Sequence, residues 1–315
     1  MQEMSSVPFV LGVDSGGTKY LVRAAALDGT ILSEYRGSCC SHYLMTEAEA
    51  SARIAHHLAA CLETFGGRPK DCRYIVCGTT GYDSPEDGVI LQRLYEGLTD
   101  FDCPALCMND VELAFRVACH DEGVLILAGT GSICYARKKG ETEGVRVGGW
   151  PDGIFGDEGA GRYIDALAMR HYSRWLDGCR SDSPLLRGIR EMTGITTRKQ
   201  LMDFAVALPT GSVPAPNLGR LVSEAAEAGD PWAAEILRDA AQCLFRLTEE
   251  TIVRAGMQDA SPLYVGVWGS VLMQSTFVRR EMAGMLENVY PAMKLLIPEK
   301  DAAQGAVEIA LEQLA

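Results

Sequence analysis

The chain has 315 residues and a hydrophobic content of 47%, which is normal for a globular protein with a sizeable core. Its formal net charge at neutral pH is −13 and no basic cluster stands out, which argues against a nucleic acid or an anionic membrane as its main partner. A chain of this length allows two domains of ordinary size.

Apolar runs in the sequence are short, and none approaches the roughly 18–20 residues that a membrane-spanning helix needs. The start, Met1-Gln2-Glu3-Met4, lacks the basic residues and the long apolar core of a signal peptide, so we expect a cytoplasmic protein. Its 11 cysteines are then expected to be free thiols. None forms a Cys-x-x-Cys pair, and most, such as Cys77, Cys119 and Cys243, lie in apolar surroundings typical of small buried residues.

The first apolar segment runs directly into a glycine-rich turn, Asp14-Ser15-Gly16-Gly17-Thr18-Lys19. Glycines let backbone N–H groups approach a phosphate closely, and a carboxylate at a strand end can hold Mg²⁺, which keeps several of its waters. The same residues could also form an ordinary hairpin turn closed by the aspartate side chain. Apolar runs around this turn and around a later Asp-Gly pair predict three strands, over 9–13, 20–27 and 31–35.

The rest of the first half alternates helices with strands. A polar loop, Gly37 to Met45, contains Ser41 and His42. The capping box that begins at Thr46 predicts a helix with apolar residues at spacings of three and four, which ends at Gly66-Gly67. Beyond it the sequence predicts a strand over 74–77, a helix over 86–97, a strand over 105–108 that ends at Asn109-Asp110, and a helix over 111–119.

The opening pattern returns in the second half of the chain. An apolar strand over 123–128 runs into the turn Gly129-Thr130-Gly131-Ser132, and strands over 133–137 and 145–147 follow. We therefore predict an architectural duplication, although residue identity between the halves is low. The most glycine-dense stretch, Gly148 to Gly161, comes next. The remainder predicts helices over 163–175, 184–192, 199–208, 231–255, 277–286 and 302–314, a loop over 209–216, and strands over 263–268 and 293–297.

Strands that alternate with helices after an opening meander in each half indicate an α/β protein. We assign residues 1–118, completed by the C-terminal helix 302–315, to an N-terminal lobe, and residues 119–301 to a C-terminal lobe. Glycine turns at strand ends in both halves predict an interlobe cleft, because ligands in such folds sit outside the carboxyl ends of the strands.

Several short segments, taken together and in order, resemble those of a known protein family. They are Asp14-Ser-Gly-Gly-Thr18, Asn109-Asp110, Ala128-Gly-Thr-Gly-Ser132, the stretch from Gly148-Gly-Trp150 to Gly156-Asp-Glu-Gly159, Val267 to Val271, and Asp301 to Ala306. The chain resembles the N-acetylglucosamine kinases and the wider BadF/BadG/BcrA/BcrD-type ATPase family that contains them. The resemblance covers essentially the whole chain. It implies the duplicated actin/hexokinase/Hsp70-like fold, which is a ribonuclease H-like ATPase fold, and the use of ATP and Mg²⁺.

The resemblance implies a nucleotide site built from three turns. In it, Asp14 would hold Mg²⁺, directly or through water, while Lys19 could reach a phosphate or be a solvated strand lysine. Amides and hydroxyls of the second turn would face the β- and γ-phosphates. The implied nucleotide-binding residues are Asp14, Gly16, Gly17, Thr18 and Lys19 in the first turn, Gly129, Thr130, Gly131 and Ser132 in the second, and Gly269 and Ser270 on the adenosine side.

The resemblance also implies a sugar site, in which Asp110 matches the catalytic acid. Such a carboxylate orients a sugar hydroxyl and accepts its proton as the P–O bond forms. Asp110 could also be the N-cap of the helix that follows, Trp150 could be a core residue, and His42 could be purely structural. The implied sugar-binding residues are Ser41, His42, Asp110, Thr130, Gly149, Trp150 and Asp157.

The loop that contains Ser41 departs from the sugar kinases that the chain resembles. Those proteins tend to carry Asn just before His, whereas Ser41 precedes His42 here. A serine hydroxyl is shorter than an amide and would leave a space or admit water. The acceptor therefore stays open among N-acetylglucosamine, N-acetylmuramic acid, glucosamine and related hexoses.

The leading hypothesis is an ATP-dependent sugar kinase that acts on a small amino sugar, forms a homodimer, and closes on its ligands to exclude water. One alternative is an ATPase that activates a reductase or dehydratase, for which the cysteines show no convincing iron–sulfur ligand pattern. The other alternative is a sugar or nucleotide sensor that keeps the fold without turnover.

Overall fold

The computed structural model describes residues 7–17, 19–150 and 155–315. The chain forms two compact units, one of Met1–His120 with Pro298–Ala315 and the other of Asp121–Ile297. Each unit is built around a five-stranded mixed sheet with helices. The α/β class predicted from the sequence is therefore confirmed.

The first unit begins with the predicted meander of three antiparallel strands. Its elements are β1 (Phe9–Ser15), β2 (Lys19–Ala26), β3 (Ile31–Ser38), α1 (Glu47–Glu63), β4 (Cys72–Thr79), α2 (Pro85–Glu96), β5 (Ala105–Asn109), α3 (Asp110–Cys119) and, from the end of the chain, the helix Ala302–Glu312. The turn between β2 and β3 is closed by a hydrogen bond of 2.9 Å from the amide of Thr30 to Asp28 Oδ1. Both β4 and β5 are parallel to β1, and the strand order is β3-β2-β1-β4-β5.

The C-terminal helix of the chain completes the core of the first unit. A side chain at Gly12 in β1 would collide with the carbonyl oxygen of Ala303 and the amide nitrogen of Val307, so glycine lets the helix backbone lie directly against the strand. Arg23 of β2 donates to the carboxylate of Asp301, the residue that caps this helix, at 2.7 and 2.8 Å. Packing and a charge-assisted hydrogen bond therefore both fix the end of the chain to the first sheet.

The second unit repeats this plan. Its elements are β6 (Gly123–Ala128), β7 (Ser132–Arg137), β8 (Val145–Gly148), α4 (Gly161–Leu176), α5 (Pro184–Thr193), α6 (Arg198–Ala207), α7 (Gly219–Glu227), α8 (Pro231–Arg254), β9 (Leu263–Trp268), α9 (Ser270–Gln274), α10 (Thr276–Val289) and β10 (Met293–Leu296), and the C-terminal helix described above is α11 (Ala302–Glu312). The strand order is β10-β9-β6-β7-β8. When β6 to β10 are matched with β1 to β5, the two orders are the same, so the predicted duplication is confirmed.

The long helix α8 supplies much of the core of the second unit. Asp230 caps it by accepting hydrogen bonds from the amides of Trp232 and Ala233, at 2.9 and 3.1 Å. Its buried side chains recur at spacings of three and four, as the sequence predicts. Cys243, which the sequence places in the core, is only partly buried, because its thiol lies at the edge of this face and donates to Tyr163 Oη at 3.6 Å. Cys77 and Cys119 are buried as predicted.

Two helices of the second unit are absent from the sequence-based prediction, α7 and the five-residue α9. Neither has a side chain that caps its N-terminus, which is the local signal for a helix start. The first turn of α7 is instead satisfied by Asp165 of α4, whose Oδ1 accepts a hydrogen bond of 2.8 Å from the amide of Leu218. Within the described ranges, no helix is long and apolar enough to cross a membrane.

Candidate active site

The predicted site residues of the first unit follow strands that end at the same edge of its sheet. β2 is antiparallel to both β1 and β3, and β4 and β5 are parallel to β1. The carboxyl ends of β1, β3, β4 and β5 therefore share one edge. This edge gathers the turn that begins at Asp14, the β3–α1 loop (residues 39–46), the β4–α2 connection and Asp110. It is the place at which ligands bind in folds of this kind.

Asp14 lies at the end of β1 with its side chain 17% exposed, and its Oδ2 is 3.4 Å from Lys19 Nζ. Burial raises the pKa of the Asp14 carboxyl, and the neighbouring ammonium of Lys19 opposes this shift. Around Gly16 and Gly17 the turn is open: a side chain at Gly17 would meet no described atom within 4 Å, and one at Gly16 would only touch Lys19. Thr18 lies outside the described residues.

Asn109 caps α3, and Asp110 is the first residue of that helix. Asn109 has extended backbone angles, its Oδ1 accepts a hydrogen bond of 2.8 Å from the amide of Val111, and its Nδ2 donates to the carbonyl oxygen of Tyr82 at 2.7 Å. The interpretation of Asp110 as the N-cap is therefore wrong. The half-buried Asp110 carboxylate lies instead at the positive end of the helix dipole and at the edge of the sheet.

The β3–α1 loop is anchored by a residue that the sequence analysis does not identify. Ser41 is only 4% exposed, and its Oγ accepts a hydrogen bond of 3.4 Å from the amide of Tyr43. His42 Nε2 lies 3.2 Å from Oδ1 of Asp87 in α2. The local pattern at Asp87 indicates only a helix start, because Ser84 caps α2 through the Asp87 amide at 3.2 Å.

The predicted site residues of the second unit also follow strands that end at one edge. β7 is antiparallel to β6 and β8, and β9 is parallel to β6. The turn Gly129–Gly131 after β6, the pair Gly149-Trp150 after β8 and the pair Gly269-Ser270 after β9 therefore lie at the same edge. The sequence-predicted residues of this unit are thus brought together in space.

Two backbone segments pack closely against the turn that follows β6. Gly269 has a φ of 86°, and a side chain there would collide with the carbonyl oxygen of Ala128, so only glycine fits this position. From the other side, the amides of Gly161 and Arg162 donate to the carbonyl oxygens of Gly129 and Thr130, at 2.8 and 3.3 Å. The positive end of the α4 dipole therefore lies beside this turn.

Asp157 has a φ of 67°, which is uncommon for a residue other than glycine and marks local backbone strain. Its Oδ1 accepts a hydrogen bond of 2.9 Å from the amide of Ser132, and a side chain at Gly131 would collide with its carboxylate. The hydroxyl of Ser132 donates to the carbonyl oxygen of Glu158 at 2.9 Å, and Ser132 is only 3% exposed. Its hydroxyl thus holds the Asp157 loop, which differs from the expectation that it faces a phosphate.

Thr130 and Trp150 are exposed, and Trp150 retains 65% of its accessible surface. The alternative in which Trp150 is a core residue is therefore wrong. Its neighbour Gly149 is fixed by a hydrogen bond of 3.0 Å from its amide to the carbonyl oxygen of Ser132. The ring of Trp150 is therefore exposed at the edge of the sheet where β8 ends.

The profile of the BadF/BadG/BcrA/BcrD ATPase family matches residues 11–310. An N-acetylmuramic acid/N-acetylglucosamine kinase from Clostridium acetobutylicum is 28% identical over 304 residues, which cover 96% of this chain and 98% of that protein. An N-acetyl-D-glucosamine kinase from Dictyostelium discoideum is 24% identical over 311 residues, covering 96% and 97%. The solved structure of a candidate N-acetylglucosamine kinase from Chromobacterium violaceum has a TM-score of 0.72 at 23% identity, covering 97% of this chain and 99% of that one.

Proposed function

The chain belongs to the BadF/BadG/BcrA/BcrD ATPase family, and on this premise we propose that it is a kinase that transfers the γ-phosphoryl group of ATP to a hydroxyl of an amino sugar. One observation carries the proposal. In each unit, a glycine turn and a carboxylate, Asp110 in the first and Asp157 in the second, lie at the edge where the parallel strands end.

The glycines of the first turn support a role for this turn in nucleotide binding. Gly16 and Gly17 have neither a positive φ nor a close neighbour among the described residues, so neither local conformation nor packing explains them. Close approach of a phosphate to the backbone amides does explain them. In the second unit, the N-terminus of α4 beside Gly129 and Thr130 favours a phosphate through its dipole. Gly269 and Ser270, which pack against that turn, are proposed to face the adenosine.

The environment of Asp14 fits a magnesium ion. Burial partly desolvates its carboxylate, Lys19 is the nearby cation that most opposes this effect, and a bound metal cation would stabilise the ionised carboxylate further. No group of three or more His, Cys, Asp and Glu side chains that could hold a metal ion occurs in the described part of the chain. Asp14 would therefore hold Mg²⁺ with few protein ligands and several waters, which is the usual preference of this ion. When bound with ATP, Mg²⁺ would neutralise charge on the phosphates.

Asp110 is proposed as the general base. A sugar hydroxyl is a weak nucleophile at neutral pH, and a carboxylate within hydrogen-bond reach orients it and accepts its proton as the P–O bond forms. Because Asn109 makes the capping bond, this role does not compete with the cap of α3. Asp157, Thr130, Gly149 and the exposed ring of Trp150 are proposed to bind the sugar.

The substrate class is proposed from the relatives, since the Clostridium and Dictyostelium proteins are kinases of N-acetylated amino sugars. Ser41 is buried and accepts a hydrogen bond from its own loop, so the loop offers less hydrogen-bonding capacity than an asparagine amide would. We therefore keep N-acetylglucosamine, N-acetylmuramic acid and glucosamine as candidate acceptors. A homodimer is also proposed, and light scattering on the purified protein tests it.

A coupled assay of ADP release over a panel of amino sugars, with Mg²⁺ and ATP, tests the function. We expect turnover that depends on one of these three amino sugars and is absent without sugar. Constant ADP release without any sugar would indicate an ATPase instead. Binding of sugar and nucleotide without ADP release would indicate a sensor, and either result would contradict the kinase.

A further inference from the structure

The carboxylate of Asp87, the third residue of α2, connects the β3–α1 loop to the start of that helix. Its Oδ1 accepts hydrogen bonds from Tyr43 Oη at 2.7 Å and from His42 Nε2 at 3.2 Å. Its Oδ2 accepts hydrogen bonds from Ser84 Oγ at 2.8 Å and from the amide of Asp83 at 3.1 Å. Oδ1 thus holds two side chains of the loop, while Oδ2 accepts from the two residues that precede α2.

The carboxylate of Asp87 is ionised at neutral pH. Asp87 is 7% exposed, and burial by itself raises the pKa of its carboxyl. Hydrogen bonds from Tyr43, Ser84 and His42 lower that pKa by more, so it lies well below its usual range. Because an ionised carboxylate only accepts hydrogen bonds, Nε2 of His42 carries the hydrogen and donates it.

The side chains of His42 and Tyr43 contact each other and the backbone of Gly81. The rings of His42 and Tyr43 lie 4.3 Å apart. The backbone of Gly81 lies against both, since a side chain there would approach the Tyr43 ring to 2.8 Å and the His42 ring to 3.3 Å. Tyr43 also donates its amide hydrogen to Ser41 Oγ at 3.4 Å. These contacts fix the conformation of residues 41–43. Two of them, the hydrogen bonds from His42 and Tyr43, are made to Asp87.

We propose that Asp87 is the positioning residue of the β3–α1 loop and that its carboxylate holds residues 41–43 in the conformation that binds the acceptor sugar. This inference rests on the proposed kinase function. Asp87 acts through His42 and Tyr43 and does not itself contact the substrate. The loop binds sugar and not nucleotide, so loss of this carboxylate weakens the sugar complex selectively.

The test compares three single variants and one double variant with the wild type, by steady-state kinetics for the sugar and by titration for ATP. Asp87→Ala should raise the KM for the sugar by about tenfold or more, while the Kd for ATP changes by less than about twofold. Tyr43→Phe removes one donor to Oδ1 and should raise the same KM by about threefold. Asp87→Asn keeps one acceptor oxygen, so its KM for the sugar should lie between those of the wild type and Asp87→Ala. Because the hydroxyl of Tyr43 contributes through its hydrogen bond to Asp87, Tyr43→Phe should add little in the Asp87→Ala background.

Asp71→Asn is the matched control. Asp71 belongs to the same unit, is also 7% exposed and pairs with Arg68 at 2.7 Å, so its substitution perturbs a comparable buried carboxylate outside the loop. Its KM for the sugar should equal that of the wild type. If Asp87→Ala does not fold, Tyr43→Phe decides the question, because Tyr43 is 60% exposed and loses only a hydroxyl.

Two results for Asp87→Ala would overturn the role of Asp87 and leave the proposed kinase function intact. One is an unchanged KM for the sugar in an active variant, and the other is an equal loss of nucleotide binding and sugar binding. A wild-type protein without sugar-dependent ADP release would instead contradict the proposed function, and the inference would fall with it. The wild-type measurement thus separates the two failures.

Discussion

The carboxylate of Asp110 is the single group on which the proposed phosphoryl transfer depends most. Replacing it by an amide removes the proton acceptor and preserves the shape, so Asp110→Asn should lower kcat by about 10²- to 10⁴-fold, while ATP still binds. Single-turnover kinetics and nucleotide titration measure the two effects. Glu112→Gln is the control, because Glu112 lies in the same helix and pairs with Arg116 at 3.5 Å. Retained turnover in Asp110→Asn would remove this residue from the mechanism.

The carboxyl of Asp165 makes the stability of the folded protein depend on pH. Burial raises the pKa of its carboxyl to about 6 from 3.8, although the amides of Leu218 and Gly219 donate to it and lower the pKa. The folded state therefore binds this proton more tightly than the unfolded state. The resulting stabilisation is complete below the unfolded value of 3.8 and is lost as the pH rises through about 6.

Asp165→Asn is neutral at every pH and keeps an acceptor oxygen for the start of α7. It should therefore raise the Tm more at about pH 8 than at about pH 4.5, as thermal melts at the two pH values would show. Asp203→Asn is the control, since the Asp203 side chain on α6 is 61% exposed. An equal rise in the Tm of Asp165→Asn at both pH values, or a lower Tm at the higher pH, would contradict the prediction.

At the scale of secondary-structure elements, α11 joins the first unit through its N-cap. Asp301 accepts a hydrogen bond of 2.8 Å from the amide of Gln304 and pairs with Arg23, so Asp301→Ala should destabilise the protein by about 1–2 kcal/mol in urea denaturation. Lys300→Ala breaks only an exposed pair with Glu308 and should cost less than about 0.5 kcal/mol. Similar losses in the two variants would show that the cap and its ion pair do not fix the helix.

The prediction of elements from the sequence succeeds where the signal is local. The capping box at Thr46 is present as predicted, with Glu49 Oε2 accepting the Thr46 amide at 2.9 Å, and the strand 263–268 has the predicted bounds. It fails for α7, because the group that satisfies the first turn of that helix comes from Asp165, 53 residues away. A window of local sequence cannot contain such a partner.

At the scale of the whole molecule, phosphoryl transfer requires that water be excluded from the reaction, so both substrates together should alter the exposure of the chain. We expect cleavage by a nonspecific protease to slow more with sugar plus a non-hydrolysable ATP analogue than with either ligand alone. A sugar that is not phosphorylated, given with the same analogue, is the control. Protection no greater than that from the nucleotide alone would argue against closure.

The sequence by itself determined the α/β class, the duplication and the places of the glycine turns. Apolar runs that end in glycine turns are local patterns, and the repeat of one pattern along the chain is visible without coordinates. Only the tertiary structure decided what the polar groups at those places do. It assigned the cap of α3 to Asn109 and brought Asp87 to His42, 45 residues away. Hydrogen bonds are specified by distance and direction between atoms in space, and neither can be read from the order of residues.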